Sequence, residues 1–311
     1  MGISKAPSPA RGVYAALATP RRADSTEPDA AVLLDYLDAI AGTGVDGVVL
    51  FGATGEFAHF EIHERMRLLT FAVRRSPVPV LVNVSHSTLA GSLDLATYAL
   101  ETSAAGALLL PPYFDNYSDA QLRRFFEEFV NLLGGRIPIY LYNLPFLTNR
   151  ISPELARRLL TSGAFAGIKD SSGEWGMFEA LKRLQRERQF QLLIGNESLY
   201  VRARIAGADG IVSGVAAALP ELIVAIDHAI TNLHLDRARQ LDFRLQEFVA
   251  WLPNFPTAVG IKQAAAVRGW KHDQFAVPLD PDTSAVLDKF RSWLSDWIPM
   301  VLSECKHDIK A

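Results

Sequence analysis

The chain has 311 residues and a formal net charge of −3, and 49% of its residues are hydrophobic against 21% that are charged. That composition is typical of a globular protein and argues against extensive disorder. Because there is no excess of basic residues, nucleic acid is not expected as a partner. No apolar run approaches the roughly 18 residues of a membrane-spanning helix, so no membrane partner is expected. A single cysteine, Cys305, cannot form an internal disulfide, which favours a cytoplasmic location.

Eight short apolar segments follow a stretch at residues 1–11 that is predicted to be a flexible leader. Most of these segments are continuous apolar runs and do not alternate with polar residues. Continuous runs are typical of strands that are buried on both faces of a parallel sheet. The predicted strands are 13–18, 47–51, 78–84, 106–110, 137–142, 165–169, 190–194 and 210–212.

Segments with helical periodicity separate the predicted strands. In the first of them, at 29–42, apolar residues recur at a spacing near 3.6. Ser118 and Ser152 are predicted N-caps, and Pro153 suits the first helical position. The predicted helices are 29–42, 62–75, 90–103, 118–133, 152–162, 175–187, 198–206 and 220–233.

Eightfold alternation of strand and helix predicts an α/β fold of the (β/α)₈ TIM barrel type over residues 12–233. An open doubly wound sheet is the alternative. That fold would need a glycine-rich phosphate-binding turn after the first strand, and residues 18–20 (Ala-Thr-Pro) do not form one. Further helical patterns at 236–251, 257–268 and 282–297 predict a C-terminal helical appendage over 234–302, packed on the barrel, and then a tail at 303–311.

Lys169 stands out because it ends an apolar strand, and the active sites of TIM barrels lie at the C-terminal ends of the strands. If the side chain points into the barrel, loss of hydration favours the neutral amine. A neutral amine can attack a ketone and form an iminium ion, which stabilises a carbanion at the adjacent carbon. The alternative is a structural lysine, paired with Glu56, Asp170 or Glu197.

Tyr142 ends the strand next to that of Lys169, where its phenol could transfer protons to and from the forming carbinolamine. A tyrosine that only closes the core at the rim is the alternative.

The Gly-Ala-Thr-Gly-Glu turn at 52–56 could hold a carboxylate through backbone N–H groups and the Thr54 hydroxyl, although it could equally be an ordinary loop. Acidic residues at the strand ends are too scattered to predict a metal site.

Three motifs together resemble the dihydrodipicolinate synthase / N-acetylneuraminate lyase family, which comprises class I pyruvate-type aldolases on a (β/α)₈ barrel. They are Gly-Ala-Thr-Gly-Glu at 52–56, Tyr-Asn-Leu-Pro at 142–145 and Gly-Ile-Lys-Asp-Ser-Ser-Gly at 167–173. The segments at 12–20 and 207–214 are also similar to the family's. The resemblance implies a Schiff base between a 2-oxo acid, such as pyruvate, and the lysine of the third motif.

By this resemblance Lys169 is the Schiff-base lysine and Tyr142 the proton-transferring tyrosine. Thr54 and the backbone at Ala53 would bind the carboxylate of the oxo acid. Val212 and Gly195 would line the site of the bound oxo acid. The family needs no metal or organic cofactor, and its members are usually tetramers built as pairs of dimers, so a homotetramer or a homodimer is expected.

The sequence departs from the family pattern at four positions. Ala53 replaces a hydroxyl residue, and Phe114 takes the place of a tyrosine that reaches across the dimer interface. Leu147 stands where the lysine-pathway enzyme has an arginine that grips its aldehyde's carboxylate, and an apolar side chain cannot make that contact. Ala217 stands where the family has an asparagine in the loop after the eighth strand. With Phe146, these residues predict an outer wall of low polarity.

The sequence therefore predicts a 2-oxo-acid aldolase or dehydratase that acts on a less charged partner. The candidate substrates are a 2-keto-3-deoxy sugar acid, a hydroxy-oxo acid, and an aromatic or aliphatic aldehyde. Two alternatives remain: the 4-hydroxy-tetrahydrodipicolinate synthase of lysine biosynthesis, and a non-catalytic barrel that binds oxo acids.

Overall fold

A computed structural model describes residues 9–23, 25–272 and 274–306. Most of the predicted leader and the last five residues lie outside this part of the chain. The leader's described end is anchored, contrary to prediction: Ala10 is buried, and its N–H donates to the Tyr140 hydroxyl at 3.1 Å. The barrel therefore fixes the chain from at least residue 10.

Eight parallel strands close into a barrel in sequence order, which confirms the predicted (β/α)₈ fold. Nearly all strand residues are buried, because the barrel interior covers one face and the helices cover the other. The strands are β1 (Gly12–Ala16), β2 (Gly47–Leu50), β3 (Val80–Asn83), β4 (Gly106–Leu109), β5 (Ile139–Asn143), β6 (Gly167–Asp170), β7 (Gln191–Ile194) and β8 (Gly210–Ser213).

A helix follows every strand, and two of the helices begin at the predicted caps, Ser118 and Ser152. Asp29 accepts the Val32 N–H at 3.1 Å, Ser118 forms a capping box with Gln121, and Ser152 caps its helix just before Pro153. These helices are α1 (Ala30–Ala41), α2 (Ile62–Arg75), α3 (Leu89–Glu101), α4 (Asp119–Leu133), α5 (Pro153–Thr161), α6 (Trp175–Leu184), α7 (Glu197–Ile205) and α8 (Pro220–Thr231).

Three further helices pack on the barrel: α9 (Leu235–Val249), α10 (Val259–Val267) and α11 (Pro281–Lys306). The last one continues beyond residue 302, where the tail was predicted to begin. Val301 and Cys305 are buried on its inner face, and that burial holds the final turn in place. Within the described ranges, no helix is both long enough and apolar enough to cross a bilayer.

Candidate active site

Lys169 and Tyr142 are neighbours at the C-terminal ends of β6 and β5, where the ladder pairs the two residues directly. Both side chains are almost fully buried. The Lys169 Nζ lies 4.1 Å from the centroid of the Tyr142 ring, so the amine rests over the face of the phenol. The two residues that the sequence singled out are therefore in contact.

Lys169 makes no ion pair with any of the three carboxylates proposed as structural partners. Glu56 is held by Lys262, Asp170 accepts from Asn143 Nδ2 at 2.7 Å, and Glu197 accepts from the Ser213 hydroxyl at 2.8 Å. Burial raises the pKa of Asp170, and the hydrogen bonds to this carboxyl offset part of that effect. Because each carboxylate is engaged elsewhere, the structural explanation for a buried Lys169 fails.

Gly195, which follows β7, leaves room for the lysine side chain. A Cβ at this position would lie 2.7 Å from the Lys169 Cε and 2.1 Å from the Ser171 hydroxyl oxygen, both of which are clashes. Only glycine fits such a close approach. The sequence placed Gly195 in the site by resemblance, and the structure puts it against the lysine stem.

The turn after β2 brings the predicted carboxylate-binding residues to the same end of the barrel. Two residues that flank them, Phe51 and Glu56, adopt left-handed backbone with φ of 56° and 54°. For a residue other than glycine, each such conformation costs on the order of 1–3 kcal/mol, so surrounding contacts must stabilise this turn. Thr54 faces the loop after β8: its hydroxyl oxygen lies 2.8 Å from where a Cβ on Gly214 would be. Val212 is buried within β8, just before this loop.

A cavity of about 330 Å³ opens at this end of the barrel, and we call it the mouth cavity. It contains the predicted residues Ala53 and Leu147. Within one chain Phe114 and Phe146 do not line it, and their side chains are 100% and 68% exposed; the predicted place of Phe114 is at a dimer interface. The lining residues are Ala53, Glu56, Phe57, Ala58, His59, Tyr113, Leu144, Leu147, Thr148, Pro256, Thr257, Val259, Phe275, Ala276 and Val277.

Sequence reasoning missed a buried ion cluster beneath the mouth cavity. Lys262 of α10, fully buried, donates to the Glu56 carboxylate and to the Gln274 carbonyl, the latter at 3.0 Å. Arg21 Nη2 lies 3.7 Å from the same carboxylate, and its guanidinium stacks on Phe60 at 4.2 Å. The cluster therefore ties the turn after β2 to the C-terminal helices. The only sequence signal was a lysine inside an apolar helix segment, and that signal names no partner.

Two cations face one carboxylate in this cluster, so it is sensitive to any loss of negative charge. Burial lowers the pKa of Lys262, and the adjoining Glu56 carboxylate offsets part of that effect. Nε and Nη2 of Arg21 are buried without a hydrogen-bond partner. Among the described residues, Glu56 is thus the one carboxylate that balances Lys262 and Arg21.

His272 lies beside the cluster and gives it a predictable acid response. Burial, with a smaller effect of Lys262, lowers the pKa of His272 from 6.5 to about 3. Between those values the unfolded chain binds a proton that the folded chain does not. From this residue alone, the free energy of unfolding should therefore rise with pH by about 1.4 kcal/mol per pH unit.

We expect His272→Leu to remove that slope between pH 4 and 6, as measured by urea unfolding at a series of pH values. His63→Leu, at an exposed position on α2, is the control and should leave the slope unchanged. An unaltered slope in His272→Leu would show that His272 is protonated in the folded protein.

Among residues 9–23, 25–272 and 274–306, no group of three or more His, Cys, Asp or Glu side chains is arranged to hold a metal ion. The described residues bring an amine, a phenol, hydroxyls and backbone N–H groups to the barrel mouth. A parallel barrel with a buried amine over a phenol at adjacent strand ends defines a lyase of the class I aldolase type.

Comparisons with known proteins agree with this class. The sequence model of the Dihydrodipicolinate synthetase family matches residues 9–296. The chain is 32% identical, over 87% of its own length and 90% of the other's, to the 4-hydroxy-tetrahydrodipicolinate synthase of Stenotrophomonas maltophilia. The chain therefore belongs to the dihydrodipicolinate synthetase family.

Several solved structures have the same fold as this chain. The crystal structure of KD(P)GA from T. tenax is 26% identical with a TM-score of 0.81, and the match covers 92% of this chain and 99% of that one. YagE from E. coli K12, a prophage protein of the dihydrodipicolinic acid synthase family crystallised with pyruvate, has a TM-score of 0.86 over 93% of this chain and 98% of its own. Because the two sequences are only 23% identical, the similarity to YagE shows a shared fold and nothing more.

Proposed function

We propose that the protein forms a Schiff base between Lys169 and a 2-oxo acid, with pyruvate or a 2-keto-3-deoxy acid as the substrate. The contact of the buried Lys169 amine with the Tyr142 ring, with no carboxylate paired to the lysine, is the observation that carries this proposal. An amine in this position is the kind of group that forms a Schiff base with a ketone.

The proposed reaction begins when the Lys169 amine attacks C2 of the oxo acid. Tyr142 passes a proton to the carbinolamine hydroxyl, which leaves as water and produces an iminium ion. Loss of a proton from C3 gives an enamine, which adds to an aldehyde carbonyl whose oxygen takes up a proton. Water then hydrolyses the product iminium and releases the lysine. The reverse sequence cleaves a carbon–carbon bond.

Thr54 and the backbone of Ala53 are proposed to bind the carboxylate of the oxo acid, and Gly195 and Val212 to line the rest of its site. Support for Thr54 comes from its position against the loop after β8, at the same barrel end as Lys169. Gly195 contacts the lysine stem directly. A carboxylate there would be fixed with its ketone toward the amine, which is the orientation that attack requires.

Borohydride reduction in the presence of pyruvate tests the proposal, because it converts a transient iminium into a stable amine. Peptide mass mapping should find the adduct on Lys169 and on no other lysine. If folded protein yields no adduct with pyruvate or with a panel of larger 2-oxo acids, the protein is a non-catalytic barrel.

Tyr142→Phe should lower kcat by about 10²- to 10⁴-fold, because the ring remains but the proton-transferring hydroxyl is lost. Tyr98→Phe, at a distant hydroxyl that hydrogen-bonds Thr70 at 2.6 Å, is the matched control. Equal rates in wild type and Tyr142→Phe would show that another group transfers the proton.

A second candidate function is the lysine-pathway synthase, because the Stenotrophomonas maltophilia relative carries that name. The apolar Leu147 in the mouth cavity weighs against it, since an aldehyde that carries a carboxylate needs a cationic partner. Condensation of pyruvate with aspartate semialdehyde distinguishes the two, and activity there would establish the synthase.

The proposal extends to a homotetramer or a homodimer in the cytoplasm. Family membership supports assembly, and the single cysteine of the chain supports a reducing compartment. Sedimentation velocity at micromolar concentration should give a species of two or four chains, and a monomer alone would contradict the proposed assembly.

A further inference from the structure

We infer that the partner of the 2-oxo acid is an uncharged aldehyde with an apolar group beyond its carbonyl, either a single aromatic ring or a short branched chain. The mouth cavity would hold that group. This inference rests on the proposed Schiff-base function and narrows it to one class of second substrate.

Residues that are close in sequence to the proposed site residues line the mouth cavity. Ala53 belongs to the turn after β2, whose next residue, Thr54, is proposed to bind the oxo acid. Leu144 lies two residues after Tyr142, just beyond the end of β5. A molecule in this cavity would therefore present its carbonyl toward the barrel centre and its tail toward the solvent.

Among the described residues that line the cavity, no side chain carries a permanent positive charge, and His59 is the one side chain that can acquire a charge of that sign. None of the described residues that line it is arginine or lysine, and its only carboxylate, Glu56, is already paired with Lys262. A second carboxylate or a phosphate on the aldehyde would lose its hydration there and meet only the exposed imidazole of His59 as a cationic group. That loss costs several kcal/mol and selects against charged aldehydes.

Apolar and aromatic side chains from two parts of the fold make up most of the wall. Phe57 packs edge-on against Tyr113, with ring centroids 5.8 Å apart, on the barrel side. Phe275, Ala276 and Val277 close the cavity from the C-terminal segment. The few hydroxyls present are too sparse to satisfy a polyhydroxylated chain, so burial of apolar surface is the main source of affinity.

The size of the cavity limits the aldehyde further. Its 330 Å³ lies near the lower end of the roughly 300–1,000 Å³ typical of small-molecule sites. One ring or a branched chain of a few carbons fits that volume. In the bond-forming step, C3 of the enamine attacks the aldehyde carbon, and the aldehyde oxygen takes up a proton as the iminium forms again.

Competing aldehydes test the inference. With pyruvate, kcat/KM for benzaldehyde or isobutyraldehyde should exceed that for succinic semialdehyde or glyceraldehyde by at least about tenfold. A tenfold preference for either of the latter two would overturn the inference. Borohydride trapping of pyruvate alone, run in parallel, reports on the Schiff base and separates failure of the inference from failure of the proposed function.

Val277→Arg provides a matched variant, because Val277 lines the cavity and is 59% exposed, so arginine can be accommodated without disrupting the core. We expect kcat/KM to fall about tenfold for benzaldehyde and to rise for succinic semialdehyde, with trapping of pyruvate unchanged. Leu132→Arg, at an exposed position on α4 outside the cavity, should change neither value. An unaltered preference in Val277→Arg would overturn the inference.

A binding measurement makes the test independent of turnover. Benzyl alcohol cannot react, and it should show saturation-transfer NMR signals with the wild type that weaken with Val277→Arg. With the oxo-acid site saturated by pyruvate, 4-hydroxybutyrate, the carboxylated analogue of succinic semialdehyde, should show none. Absence of a signal for benzyl alcohol would contradict an apolar site in the mouth cavity.

Discussion

Replacing Lys169 with methionine is expected to lower kcat/KM by about 10⁴-fold or more and to abolish borohydride trapping of pyruvate. Methionine keeps an apolar stem of similar length, so packing against Gly195 and the Tyr142 ring is preserved. What disappears is the amine that forms the covalent intermediate. Removing a nucleophile leaves only the contribution of binding, and the rate falls by orders of magnitude.

Lys289→Met is the matched control, because Lys289 lies exposed on α11, away from the barrel mouth. It should retain both wild-type turnover and the trapped adduct. Unfolding of Lys169→Met in urea should match that of the wild type, which separates loss of chemistry from loss of fold. Turnover above a tenth of the wild-type value in Lys169→Met would mean that the reaction does not pass through this lysine.

The second large effect concerns stability. Glu56→Gln should lower the free energy of unfolding by about 3–5 kcal/mol, because it leaves two buried cations, Lys262 and Arg21, without a carboxylate. Lys262→Met should cost less, since it leaves Glu56 and Arg21 as a balanced pair 3.7 Å apart. Urea unfolding of both variants gives the comparison.

The exposed carboxylate Glu154, which pairs with Arg157 and Arg158 on α5, provides the control for these variants. Glu154→Gln should change stability little, because water and salt screen such surface pairs. If Glu56→Gln lowers the free energy of unfolding by less than Lys262→Met does, the balance of charge is not what stabilises the cluster.

Glu56→Gln should also raise the KM for pyruvate, although Glu56 is not proposed to touch the substrate. Glu56 adopts left-handed backbone at the end of the turn that holds Ala53 and Thr54, and its carboxylate is the anchor of that turn. A displaced turn would weaken binding of the oxo acid while the Lys169–Tyr142 contact remains intact.

The barrel and its two central residues could be predicted from local patterns. Continuous apolar runs at regular spacing indicate buried parallel strands whatever their neighbours, and a lysine at the end of such a run stands out because buried lysines are rare. The caps at Asp29, Ser118 and Ser152 are local too, since each bonds a backbone N–H three residues ahead.

Other predictions failed where the outcome depended on packing. The leader was predicted to be flexible, yet Ala10 is buried and its N–H donates to the Tyr140 hydroxyl, a contact between positions 130 residues apart that no local pattern indicates. The predicted tail is helical to Lys306, because the burial of Cys305 rather than local propensity stabilises its last turn.

By itself, the sequence determined the alternation of strands and helices and, through it, the meeting of Lys169 and Tyr142, since adjacent parallel strands end at one edge of the barrel. Only the tertiary structure decided that Lys169 pairs with none of the nearby carboxylates, that Lys262 meets Glu56, and which loops close the mouth cavity. Glu56 and Lys262 are separated by 206 positions. A contact at that distance in sequence leaves no periodicity or spacing, so it becomes visible only once the chain has folded.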